Sequence, residues 1–316
     1  MHPAYSVIVF TCASGAGYGL LMWLSAVHLF GRTLSPTYAI VGLTLALILI
    51  SVGLLASTLH LGRPERAWRA FSQWRTSWLS REGVAAVITY IPAGLLWLSL
   101  VTGAGWSNLL GALAILGALV TVYCTGMIYA SLPTIRHWDQ PLVAPLYLLF
   151  ALATGGILYV WLGSLFGGLL FAEVAIALLA LGLAFGTKMA YWRQVDTQAP
   201  RFSAEAATGL GRFGQVRALE APHTQPNYVM REMGYTVARK HAAKLRQIVL
   251  IAGFAVPAVA LALASLTTSG AEGSGLIGLL ALVAVVAGGV GILTERWLFF
   301  AEAEHVVTLY YGANQA

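Results

Sequence analysis

The chain has 316 residues, of which 59% are hydrophobic and 9% charged, and its formal net charge is +6. Apolar runs of about twenty residues, the length that crosses a bilayer, make it a polytopic helical membrane protein and exclude a soluble catalytic domain. Two cysteines, Cys12 and Cys124, lie far apart; this excludes an iron-sulfur cluster or structural zinc site built from cysteines of this chain alone.

Eight spans are predicted, at roughly 5–29, 37–60, 82–102, 107–131, 142–165, 169–192, 247–268 and 276–311. They form an all-α bundle, a single integral domain over 1–316, with one long cytoplasmic loop at 194–246. The opening Met1-His2-Pro3 lacks the basic segment of a signal peptide, and the first apolar run is long enough to span. An even number of spans puts both termini on one side, shared by the connections after spans two, four and six. Those connections and their helix ends hold sixteen of the eighteen Lys and Arg, whereas the opposite connections hold Arg32. Basic loops stay inside, so both termini and the docking face are predicted on the cytoplasmic side of a bacterial inner membrane. Charge confined to loops describes topology and docking, not nucleic-acid binding.

The stretch from Ser57 to Gly83, between spans two and three, is the richest in polar residues. His60 closes span two, Gly62 and Pro64 stop its helix, Ser80 is placed to cap the next helix, and Glu82 falls in that helix's first turn. A histidine and a carboxylate thus meet at one membrane depth. Five arginines (Arg63, Arg66, Arg69, Arg75, Arg81) and Trp68, Trp74 and Trp78 crowd the same connection, as at a membrane-water interface.

The sixth connection, 194–246, is the segment long enough to grip a soluble partner. Residues 221–234 read as an extended piece turning into a helix, and Arg239 to Lys244 lead into span seven. Arg212, Arg217, Tyr228 and Arg231 are its candidate docking side chains, of types that suit interfaces. A solvated loop facing lipid headgroups is the alternative. Gly209-Leu-Gly211-Arg-Phe-Gly214 matches the dinucleotide fingerprint, but no strand or βαβ unit is predicted around it, so the match is accidental. Gly15, Gly19 and the Gly288-Gly289 pair fit close helix packing. Span eight is overlong: Glu295, Arg296, Glu302, Glu304 and His305 follow about nineteen apolar residues. If the helix continues, Glu295, Glu302 and His305 share one face.

Ionisable residues at membrane depth are costly and mark sites by default. Here they gather at the predicted cytoplasmic end, with His60 and Glu82 foremost and Arg296, Glu302 and His305 as the next candidates. A quinone headgroup needs hydrogen-bonding groups that exchange protons near neutral pH beside an apolar channel for its tail, and His60 with Glu82 meets that need. Arg63 and Arg66 can steady negative charge on its oxygens, or else hold lipid phosphate. In the plainer alternative Glu82 complements the helix N-terminus and pairs with Arg81 or Arg63, and His60 bonds backbone. A haem b between His60 and His305 is another alternative; His28 lies at the opposite end. Glu173 and Glu272 read as headgroup-level charges. A transporter places broken helices and ionisable residues at mid-bilayer, where this sequence is apolar.

Leu59-His60-Leu61-Gly62-Arg63-Pro64, Arg66-Ala67 and Leu79-Ser80-Arg81-Glu82-Gly83 resemble the membrane anchor subunits of the dimethyl sulfoxide reductase family, and the charged final helix from Glu295-Arg296-Trp297 to His305 fits as well. The resemblance implies an anchor with no haem or iron-sulfur cluster of its own. It implies a bound quinone, menaquinone or ubiquinone, whose protons are handled by the residues matching His60 and Glu82. It also implies two partners, a ferredoxin-like iron-sulfur subunit and a molybdopterin catalytic subunit. Reductase anchors of this family are expected to dock their partners on the periplasmic side. The charge pattern here, with the long basic sixth loop, is more similar to anchors of cytoplasmic sulfite-oxidising enzymes, which pass electrons from sulfite to quinone. A quinol-oxidising reductase anchor and a haem b cytochrome subunit are the alternatives.

Overall fold

A computed structural model describes residues 5–59, 61–167, 169–217, 219–220, 225, 236–267, 274–311 and 313. Among them, eight helices are long and apolar enough to cross a membrane: α1 Tyr5–Leu29, α2 Pro36–Thr58, α3 Trp78–Val101, α4 Asn108–Ala130, α5 Val143–Phe166, α6 Phe171–Thr197, α7 Ala242–Leu266 and α8 Ser274–Ala301. No strand occurs among the described residues. The protein is an all-α polytopic membrane protein, as its apolar runs predict.

Serines start three of the helices. Ser35, Ser77 and Ser107 stand in extended backbone just before α2, α3 and α4, and each hydroxyl accepts an amide three residues on, at 3.3, 3.5 and 3.4 Å. The cap of α3 is therefore Ser77 and not Ser80, which lies inside the helix. This lengthens α3 at its start, and Glu82 falls in the second turn, not the first. Pro64 opens a 3₁₀ helix, Pro64–Gln73, in the arginine-rich connection.

α1 and α5 form the centre of the bundle, each with two-thirds (67%) of its most apolar window buried. Lipid is as apolar as leucine, so helices associate through close packing at small residues. A Cβ on Gly19 would lie 1.8 Å from the Ala151 carbonyl oxygen, and one on Gly155 would lie 2.2 Å from the Gly19 carbonyl carbon. Gly15 and Gly289, with the same sequence signal, face open space. Gly19→Ala should therefore cost about 1–3 kcal/mol through forced backbone movement, whereas Gly15→Ala should cost little. Thermal unfolding of the two variants in detergent checks the difference. At the α7–α8 crossing, a Cβ on Gly291 would lie 2.1 Å from Gly253 Cα, and Gly253 belongs to a π turn, Val249–Ala255.

α8 stops at Ala301, ten residues before the predicted end of span eight. The Arg239 guanidinium donates to the carbonyls of Ala301 (2.9 Å) and Ala303 (2.8 Å), satisfying acceptors that a continuing helix would have used. The backbone then crosses the α4–α5 connection, where Val306 N–H donates to Thr134 O at 3.1 Å and His305 bridges Ile135. A 3₁₀ segment, Val306–Tyr311, follows. Glu302 and His305 consequently leave the helix and share no face with Glu295.

The start of the sixth connection is fastened to the α4–α5 connection. Arg136 Nη1 donates to the carbonyls of Val195 (3.1 Å) and Gln198 (2.7 Å), and Arg201 pairs with Asp139. A short helix, Ala204–Thr208, and a 3₁₀ turn, Gly211–Phe213, carry the fingerprint glycines, with no strand before them. His60, Tyr228, Arg231 and Glu272 lie outside the described residues.

Candidate functional site

Where α2 ends and α3 begins, α1, α2, the 3₁₀ helix, α3 and α4 surround a cavity of about 720 Å³. Small-molecule sites run from about 300 to 1,000 Å³ and are mostly apolar with a few convergent polar groups. Phe10 of α1, Leu54 of α2, Val87 of α3 and Ile128 of α4 supply apolar wall here, and Arg63, Arg66 and Glu82 line the same space. A ring with two polar oxygens and an apolar tail fits both the volume and this donor set.

Glu82 is only 4% exposed. The Thr125 hydroxyl lies 2.5 Å from its Oε1 and 3.0 Å from the Thr121 carbonyl, and donates to either. The 3₁₀ helix lies over the start of α3 because Gly83 leaves room for the Phe71 ring: a Cβ there would come within 3.1 Å of it. Arg81 turns the other way. Its guanidinium donates to the carbonyls of Trp74 (3.0 Å) and Arg75 (2.7 Å) and stacks 4.2 Å from the Trp78 ring. Among the described residues Glu82 has no ion pair with Arg81 or Arg63. Among the described residues it accepts the Thr125 hydroxyl, and it lines the cavity.

Arg296, Glu302 and His305 do not line this cavity. Arg296 is 3% exposed, with its guanidinium 3.9 Å above the Tyr147 ring. Its Nε lies 3.2 Å from Glu295 Oε2, an ion pair without hydrogen-bond geometry, so that oxygen has no hydrogen-bond partner among the described residues. Glu295 Oε1 accepts from Lys188 Nζ at 2.5 Å, both side chains being 1% exposed. Lys188 is thus a buried bundle residue and not part of a basic loop or helix end. Glu302 pairs with Arg246 at 2.9 Å, and burial holds its carboxyl above the usual carboxylate range against the opposing pull of that arginine. His305 Nδ1 accepts the Val307 amide at 2.9 Å, and burial pushes its ring below the usual histidine range.

Glu173, predicted to be a headgroup-level charge, is 6% exposed, paired with Arg32 at 3.0 Å and accepting the Leu170 amide at 3.0 Å. In the sixth connection Arg212 and Arg217 are exposed, as are Phe213 and Leu210, and Arg212 lies 4.6 Å from the Phe213 ring. The sequence pattern does not reveal Thr125, whose one signal is its place a turn beyond Thr121 on α4. Nor does it reveal the burial of Lys188, because α6 runs to Thr197 and not to 192.

The protein matches the family described as DMSO reductase anchor subunit (DmsC) over residues 1–196. It is 32% identical to the C subunit of sulfite dehydrogenase from Allochromatium vinosum over 332 aligned positions, which cover 98% of this sequence and 99% of that protein. It is also 28% identical to the C polypeptide of anaerobic dimethyl sulfoxide reductase from Haemophilus influenzae over 144 positions, 44% of this sequence and 50% of that one. With a family match over more than half its length and a relative aligned almost end to end, this chain belongs to the DMSO reductase anchor subunit family.

Proposed function

We propose that this chain is the quinone-reducing membrane subunit of a sulfite-oxidising molybdoenzyme complex, with its docking face and both termini in the cytoplasm. The observation that carries the reading is Glu82, a buried carboxylate on the wall of an apolar cavity that two arginines share. A quinone bound there takes up two electrons and two protons to become a quinol. Electrons come from a ferredoxin-like iron-sulfur subunit, fed in turn by a molybdopterin subunit that oxidises sulfite; the near end-to-end alignment with a sulfite dehydrogenase subunit supports this choice over the reductase. Glu82 and His60 hold and pass the protons. Arg63 and Arg66 orient the ring and favour negative charge on its oxygens. The apolar walls exclude water and accept the tail.

Docking rests on the sixth connection, with Arg212, Arg217, Tyr228 and Arg231 as its contact side chains. Exposed Phe213 and Leu210 beside Arg212 make the mixed apolar and basic surface that interfaces favour. Deleting residues 203–230 is expected to release the iron-sulfur and molybdopterin subunits from the membrane fraction while this chain stays inserted. Retention of both subunits at native affinity would place the docking surface elsewhere.

A further inference from the structure

Lys188, Glu295 and Arg296 take no part in the site above. Two cations and one anion, none more than 3% exposed, lie inside the bundle. Aromatic faces offset part of the cost: Lys188 Nζ lies 4.5 Å from the Tyr191 ring and 4.8 Å from the Trp192 ring. Ionisable groups kept at membrane depth at such expense mark functional paths.

The cluster reaches toward Glu82. Arg296 lines a void of about 20 Å³, room for one water, whose walls include Thr11, Tyr147 and Thr125. Thr125 is the residue whose hydroxyl touches Glu82. Two buried groups at this place lack hydrogen-bond partners among the described residues, the Tyr147 hydroxyl and Glu295 Oε2. A smaller void, about 10 Å³, is lined by Glu295 and shares Thr154 and Ile292 with the first. On its other side the cluster reaches the surface. The Arg246 guanidinium lies 5.0 Å from the same Trp192 ring and binds Glu302 and Asp196, whose side chains are 14% and 49% exposed. These residues all lie at the end of the bundle where α3 starts and α4, α6 and α8 finish. By helix rise, Lys188 is about 14 Å and Glu295 about 9 Å from its helix end.

We propose that protons reach Glu82 from the Asp196–Arg246–Glu302 surface group through the Lys188–Glu295 pair, a water in the Arg296-lined void, and the Thr125 hydroxyl. The relay rests on the quinone site proposed above. Each quinone reduced draws two electrons from the iron-sulfur subunit and two protons from this path. Thr125 gives its hydroxyl proton to Glu82 and takes another from the water, so no relay member is changed after a turnover. The competing route leads through the cavity itself, past Arg63 and Arg66.

The test uses the intact complex in lipid nanodiscs and follows deuterium entry into the Glu82 carboxyl, read as the infrared band that Glu82→Gln removes. Thr125→Val and Lys188→Met are each expected to slow this exchange several-fold, and Thr125→Ser is expected to restore it. Lys188→Met leaves Glu295 and Arg296 as a balanced pair, so the bundle still folds, and it acts far from Glu82. In Lys188→Met, quinone binding, read as the Kd of a radiolabelled short-chain quinone, should not change. Exchange at the native rate in both variants would overturn the relay. If Glu82→Gln still blocks quinone reduction in that case, the site stands and protons enter by the arginine-lined side. Quinone reduction untouched by Glu82→Gln would overturn the site instead, and the exchange rates would still decide the relay.

Discussion

Glu82→Gln is expected to lower quinone-linked turnover by roughly 10²-fold or more, the contribution of a positioned proton-transfer group. Glutamine keeps the shape of the side chain and can still accept the Thr125 hydroxyl, so the cavity wall survives while the titrating group is lost. The complex should assemble, and its turnover with an artificial acceptor that draws electrons from the soluble subunits should stay at the native rate. Comparing the two assays on one preparation separates proton handling from folding and from electron supply. A proportional fall in both assays would mean that Glu82 supports assembly rather than quinone chemistry.

The second large effect concerns stability. Glu295 is the single anion between two buried cations, so Glu295→Gln leaves Lys188 and Arg296 uncompensated in an apolar interior. Removing one partner from a buried ion pair costs about 3–5 kcal/mol, and here two cations are stranded. The variant should give little folded protein and unfold at a clearly lower temperature in detergent. Lys188→Met leaves Glu295 and Arg296 as a neutral pair, so its melting temperature should stay near native. Equal behaviour of the two variants would contradict the charge argument.

The eight helices were legible because each is an apolar run of spanning length, and serine or proline signals start several of them. The end of α8 was not legible. Glu302 and Ala303 suit a helix, and the stop comes from Arg239, which lies before α7 in sequence and takes the last carbonyls. Within the site, Arg63, Arg66 and Glu82 were readable from one short connection, and they do line one cavity. Their supporting partners were not readable. Thr125 is 43 residues from Glu82, and Glu295 is 107 residues from Lys188. Only packing brings such pairs together, and no local pattern announces them. Ser80 misled for a related reason: it has the right residue type, but Ser77 stands at the extended position where a cap can form.

The most direct measurement is photolabelling of the membrane complex with a short-chain quinone carrying a photoreactive ring substituent, followed by peptide mapping. The proposed site predicts label on the segments that wall the Glu82 cavity, near Arg66, Trp68 and Ala86, with loss of label on competition by unmodified quinone. A second groove of about 550 Å³, lined by Ile88 of α3 and Leu113 and Leu116 of α4, offers a comparable apolar surface without Glu82, Arg63 or Arg66. Competable label confined to that groove would contradict the account.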